Sequence, residues 1–173
     1  MPDPVPGPDR LPESGSGASS TLDVLIVRDP RESAKKCSLI PLRGTPGIEF
    51  VAYEGDRMVD ATGRVLLDPE GELISEEDRG LPLLVLDSSW RRLPKLAKTI
   101  SGDPVRRRLP PLVTAYPRRS KEFEDPSEGL ASVEALYAAL VLLGARDIEY
   151  LLNDYLWKDE FLERNRAALT SAR

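Results

Sequence analysis

Leu81-Pro82-Leu83-Leu84-Val85-Leu86-Asp87-Ser88-Ser89-Trp90 is the stretch whose reading decides the fold. Six residues without a charge end abruptly on a carboxylate, two hydroxyls and an indole. A near-continuous apolar run of this length suits a central strand covered on both faces, as in α/β sheets, and not the alternating strand of a half-exposed sheet. Pro82 sits at its start, where a missing N–H is tolerated. In open α/β sheets ligands bind beyond the carboxyl ends of the strands. Asp87 and Trp90 stand at such an end. The carboxylate can accept a proton or hold a ligand hydroxyl, and the indole can lie against a planar ring. Equally, Asp87 can cap the following turn and Trp90 can belong to the core.

Further strands are expected outward from this one at 22–27, 47–53, 64–67 and 112–115, the third closed by the turn Asp68-Pro69-Glu70-Gly71. The C-terminal third has helical periodicity. Ser132 can cap a helix through Val133, Leu136, Leu140 and Leu143 that stops at Gly144. A second helix is expected from Asp147 through Ile148, Leu151, Leu152 and Tyr155, continued by Phe161, Leu162 and Leu169. Strands first and helices last predict an α/β domain with a largely parallel sheet and helices on both faces. Residues 1–20 hold five prolines, three glycines and four serines and read as a disordered tail, so one domain is expected over 21–173.

Composition excludes several chemistries. The 173 residues include no histidine and a single cysteine, Cys37. A Ser-His-Asp or Cys-His triad, a histidine base, a His- or Cys-ligated metal and an internal disulfide are therefore ruled out, and no metal is expected. A lone thiol fits a reducing cytoplasmic compartment. Lys35 and Lys36 beside Cys37 can lower its pKa, but a single cysteine with no base partner is more often structural. The longest uncharged apolar run, Ala135–Ala145, is too short for a bilayer, which takes about 20 residues. No basic segment followed by an apolar core marks a secretory signal, and no Gly-rich phosphate loop is present.

Net charge is −5, but it is unevenly spread. Between Arg91 and Lys121 ten basic residues face one acid, Asp103. Such a local field suits a polyanion, because screening confines charge effects to about 10 Å. Arg91, Arg92, Arg106, Arg107, Arg108, Arg118 and Arg119 are the candidate contacts to such a polyanion. The alternative is a solvated face clustered by chance.

Two further segments can carry recognition. Leu109-Pro110-Pro111-Leu112-Val113-Thr114-Ala115 is a proline-stiffened backbone suited to a base or ribose edge, or simply an edge strand. At Leu130-Ala131-Ser132-Val133-Glu134 a loop enters a helix N-terminus, where an anion is favoured, Ser132 can bond it and Glu134 can pair with an ammonium. A plain N-cap explains the same residues.

The order of these motifs carries a resemblance. Asp87-Ser88-Ser89-Trp90 follows an apolar strand. Leu109-Pro110-Pro111-Leu112-Val113 comes next, then Ser132-Val133-Glu134-Ala135-Leu136, then Trp157 with Phe161-Leu162 and Asn165. This resembles the family of small-subunit rRNA aminocarboxypropyltransferases involved in ribosome maturation, within a superfamily that includes the DTW-domain tRNA enzymes. The likeness spans roughly residues 22–169 and is densest from Leu83 to Asn165.

The resemblance implies a SPOUT-like α/β fold with a C-terminal trefoil knot, S-adenosylmethionine as co-substrate and RNA as acceptor, rRNA before tRNA. It implies that Leu67, Pro69 and Trp90 flank the adenine, that Leu109 and Leu112 meet the ribose, and that Ser132 and Ser38, of the pair Cys37-Ser38, approach the methionine end. Asp87 is then the candidate catalytic base toward a uridine-type ring nitrogen. Tyr116-Pro117-Arg118-Arg119 departs from the family pattern and looks like the DTW branch. The competing readings are an RNA methyltransferase of the same fold and a non-catalytic RNA- or ribosome-binding protein.

Overall fold

The computed structural model describes residues 21–117 and 129–171. The tail read at 1–20, together with Arg118 and Arg119, lies outside the described residues. In chain order the main elements are β1 (Val24–Arg28), β2 (Ile48–Ala52), β3 (Val59–Asp60), β4 (Val65–Leu73), β5 (Leu83–Asp87), α1 (Leu93–Ala97), β6 (Ile100–Ser101), β7 (Val105–Arg108), α2 (Ser132–Leu142) and α3 (Lys158–Thr170).

Five strands form one sheet in the order β2-β1-β5-β4-β7, and every pairing in it is parallel. The expected central strand is central: β5 lies between β1 and β4, with Val24 opposite Leu83 and Arg28 opposite Asp87. Side chains alternate across the sheet. Val24, Ile26, Val65, Leu83 and Val85 face a large core completed by α2 and α3. Leu25, Val27, Leu66 and Leu84 face a smaller one closed by Leu96 of α1. Each fully buried Leu or Val contributes about 1.5–3 kcal/mol, so the doubly buried β1 and β5 hold the sheet. Helices thus lie on both faces, with the heavier layer on one. α2 is apolar nearly all round, as suits a helix enclosed by other elements.

Four expectations about elements need correction. β4 does not stop at Leu67. It runs on to Leu73 through an irregularity in which Leu67 and Glu72 both pair with Arg107, so Asp68–Gly71 bulges from a continuing strand instead of reversing the chain. A Cβ at Gly71 would lie 2.8 Å from the backbone of Arg106 and Arg107, and only glycine fits there. Residues 112–115 form no strand, because α3 and α2 bond that backbone with side chains. Ser132 is not the cap of α2: Ala131 holds that position and Ser132 is the first helical residue. Finally, Asp147 does not start a helix. Its φ of 56° is left-handed, and the chain makes a short 3-10 turn at Glu149–Leu152 before α3 begins at Lys158.

Candidate functional site

The carboxyl ends of β1 and β5 lie side by side and bring the polar residues together. Asp87 is the last residue of β5 and only 6% exposed. Its Oδ1 accepts a hydrogen bond from the Ser132 hydroxyl at 3.0 Å. Its Oδ2 accepts one from the Cys37 thiol at 3.1 Å and stands 3.5 Å from Nε of the buried Arg28. Ser38 Oγ accepts the backbone N–H of Val133 at 3.0 Å, which ties the Cys37-Ser38 pair to the first turn of α2. Asp87, Cys37, Ser38 and Ser132 are thus one cluster drawn from three distant segments.

The Cys37 thiol is not activated. Burial raises its pKa, and the hydrogen bond to Asp87 and that carboxylate's charge raise it further. Lys35 and Lys36 do not offset this, because both are exposed, where water screens them, and the structural reading of the cysteine is the one that fits.

Beside this cluster lies a cavity of about 710 Å³. Leu67, Pro69, Leu109 and Leu112 line it, with Asp68, Arg108, Leu130 and Ala135 among its other walls. Its size is that of a small-molecule site, and its leucine and proline surfaces suit the faces of a flat ligand of nucleoside size. The bulge in β4 carries Pro69 into one wall and the proline-stiffened segment forms another. The first turn of α2 is shared, with Ser132 bonded to Asp87 and Ala135 on the cavity. Trp90 stands outside the cavity wall. It is not a core residue: it is 50% exposed, and the Arg91 guanidinium lies over its ring at 5.3 Å.

Glu134 is corrected as a ligand group. It is fully buried, and Oε1 accepts from the Ala115 N–H at 2.9 Å and the Tyr155 hydroxyl at 2.8 Å. Oε2 accepts from the Thr114 hydroxyl at 2.7 Å and the Ala131 N–H at 2.8 Å. These internal donors leave no room for a ligand ammonium. Burial, and then the neighbouring Glu134, push the Tyr155 phenol far above its ordinary range, so Tyr155 serves as a hydrogen-bond donor.

The arginine stripe divides. Arg92 pairs with the buried Asp29, and Arg107 Nε pairs with the buried Asp78 at 2.8 Å. Arg106 reaches Asp68 across an exposed 2.9 Å ion pair. Arg91 and Arg108 are exposed. Sequence reasoning missed Arg28, Asp29 and Asn165 as site-building residues. The signal for the first two was available, since Arg28-Asp29 ends the apolar run of β1 as Asp87 ends that of β5. No group of three or more His, Cys, Asp or Glu among the described residues is arranged to hold a metal, and no helix among them is long and apolar enough to cross a membrane.

Comparison with known proteins adds the following. Residues 65–172 match the family model of the ribosome biogenesis protein, C-terminal. A 16S rRNA aminocarboxypropyltransferase of Methanopyrus kandleri is 33% identical over 156 residues, covering 86% of this chain and 88% of the relative. One from Vulcanisaeta distributa is 32% identical, covering 84% of this chain and 79% of the relative. The solved structure of the SAM-dependent rRNA:acp-transferase Tsr3 from Vulcanisaeta distributa superposes with a TM-score of 0.70 at 28% identity, covering 88% of this chain and 83% of that one.

Proposed function

This chain belongs to the family of 16S rRNA aminocarboxypropyltransferases, and we propose that it transfers the 3-amino-3-carboxypropyl group of S-adenosylmethionine to a uridine-type base of small-subunit rRNA. The observation that carries the reading is the cavity, where the chain's own Leu67, Pro69, Leu109 and Leu112 meet around a space of nucleoside size.

Bound S-adenosylmethionine supplies an electrophilic γ-carbon: a bond forms from it to the base nitrogen, its bond to sulfur breaks, methylthioadenosine leaves and the nitrogen's proton passes to a base. The protein's part is selection among the three carbons on sulfur, since orientation decides which one meets the acceptor. In our reading Leu67 and Pro69 hold the adenine, with Trp90 folding over it. Leu109 and Leu112 present backbone to the ribose, and Ser38 and Ser132 lie toward the amino-acid end. Asp87 is assigned to the reacting end. A carboxylate is a weak base toward an imide nitrogen. Its hydrogen bonds from Ser132 and Cys37 and its ion pair with Arg28 suit it to orienting the acceptor as well as accepting the proton.

The exposed Arg91, Arg106 and Arg108, with Arg118 and Arg119, are assigned to RNA phosphates. Arg92 and Arg107 already hold buried carboxylates within the chain, and we assign them no such contact. The SPOUT-like classification and the C-terminal trefoil knot belong to the same reading. The all-parallel sheet with helices on both faces supports the classification. The cytoplasm, where small subunits mature, is the proposed compartment.

The test is the by-product. The protein is incubated with S-adenosylmethionine and small-subunit rRNA lacking the modification, and the released nucleoside is identified by mass spectrometry. RNA-dependent methylthioadenosine is expected. Adenosylhomocysteine would make the protein a methyltransferase, and no product with no donor binding would leave only an RNA-binding module.

A further inference from the structure

We propose that Asp29 is a positioning residue for the donor site, acting through Arg92 and Ser88 on the loop that carries Asp87 and Trp90. This rests on the donor-binding reading of that loop. Asp29 follows β1 and is fully buried. A buried carboxylate persists only when donors satisfy it. Here its side-chain partners on β5's side come from one place. Oδ2 accepts from the Ser88 hydroxyl at 3.0 Å and from Arg92 Nε. Oδ1 accepts the N–H of Arg31 at 3.0 Å, and the Asp29 N–H donates to the carbonyl of Asp87 at 2.9 Å.

A second stitch runs parallel. Glu32 Oε1 accepts the Ser89 N–H at 2.9 Å, and Arg28 Nη2 donates to the Glu32 carbonyl at 2.8 Å. The segment after β1 therefore grips the segment after β5 at Asp87, Ser88, Ser89 and Arg92. Trp90 lies between gripped residues and is half exposed, so the backbone of the loop sets where its indole stands. Burial pushes the Asp29 carboxyl up, but Arg92, the Arg31 amide and Ser88 outweigh it and hold the group below its usual range. The grip is thus ionised throughout the physiological range. On this account Arg92 is an internal strap, and its charge is neutralised within the protein.

The experiment titrates S-adenosylmethionine into the full chain by calorimetry, without RNA, for the wild type and for D29N, R92Q and R92K. Acrylamide quenching of Trp90 is measured in a W157F background, where Trp90 is the sole tryptophan. Donor affinity is expected to fall at least about tenfold in D29N and R92Q. Trp90 should become more quenchable, and R92K should recover part of both losses. Folded variants with wild-type affinity and quenching would overturn the proposal. If D29N does not fold, R92Q and R92K carry the same comparison. A wild-type chain that fails to bind the donor would instead overturn the donor reading itself, and the proposal with it.

Discussion

The side-chain amide of Asn165 bonds both main-chain groups of Val113: its Oδ1 accepts the N–H at 2.8 Å and its Nδ2 donates to the C=O at 2.8 Å. One side chain of α3 thereby plays the part of a neighbouring strand for a segment that has none. A third bond, from Nδ2 to the Phe161 carbonyl at 2.9 Å, fixes the amide on its own helix. The cavity wall from Leu109 to Thr114 is thus held from behind.

Asn165→Leu should remove that hold. Leaving the Val113 groups unpaired costs about 1–3 kcal/mol. A melting temperature lowered by several degrees is expected, and calorimetry should show weaker donor binding. Asn165→Asp keeps the acceptor but sets a buried carboxylate oxygen against the Val113 and Phe161 carbonyls, so it should destabilise at least as much.

Glu134→Gln should be more damaging than its size suggests. The four donors converging on Glu134 would meet an amide with one acceptor oxygen, leaving buried donors without partners at about 1–3 kcal/mol each. Tyr155→Phe removes one of the same bonds and should cost only about 1 kcal/mol. Urea unfolding of both variants checks the ratio.

Asp87→Asn should cut turnover by at least about tenfold while changing donor affinity little, and Trp90→Ala should mainly weaken donor binding. Single-turnover rates beside calorimetry separate the two. Full turnover in Asp87→Asn would remove that carboxylate from the chemistry.

Cys37 should alkylate slowly at neutral pH, with a rate that climbs only in the alkaline range, because burial and Asp87 both disfavour its thiolate. Asp87→Asn removes one of these influences, so its Cys37 should react faster at pH 8 by several-fold. An unchanged rate would mean that the thiol does not sense the carboxylate. Iodoacetamide labelling followed by mass spectrometry is sufficient.

Acid should unfold the protein partly through Asp29 and Asp78. Burial raises each carboxyl, but Arg92 and Arg107 respectively, with backbone amides, bring each below its ordinary value. A carboxyl depressed in the folded state stabilises above its unfolded pKa of about 3.9 and loses that contribution as pH falls through its folded value. Stability should therefore decline below about pH 4, and Asp78→Asn should flatten the decline while lowering stability at pH 7.

The strand pattern was legible because burial on both faces leaves an uninterrupted apolar run, and Leu83–Asp87 has one. The Leu109–Thr114 wall was legible as a proline-stiffened segment, but Leu67 and Pro69 were legible only through the resemblance: nothing in the composition of Leu67-Asp68-Pro69 says that the strand bulges there instead of turning. Asp68-Pro69-Glu70-Gly71 has the chemistry of a reverse turn, yet pairing with β7 resumes at Glu72 because tertiary contact outweighs local preference. Glu134 and Arg92 were misread for a related reason. A charged residue in sequence looks like surface, and the partner that buries it lies about twenty or more residues away. Asp147 gave the signal of a helix start, but its left-handed backbone ends one turn and redirects the chain to another.

The parallel sheet has a kinetic corollary. No two of its strands can meet through a hairpin: even the nearest partners, Val65 and Leu83, are joined by a long crossover, and Val24 must find Leu83 across most of the first half of the chain. Closing such loops before any pairing rewards them makes nucleation slow. Asp87 meets Cys37 and Ser132 only after β1, β5 and α2 have docked. An unfinished chain emerging from a ribosome has no working site until its last third is made.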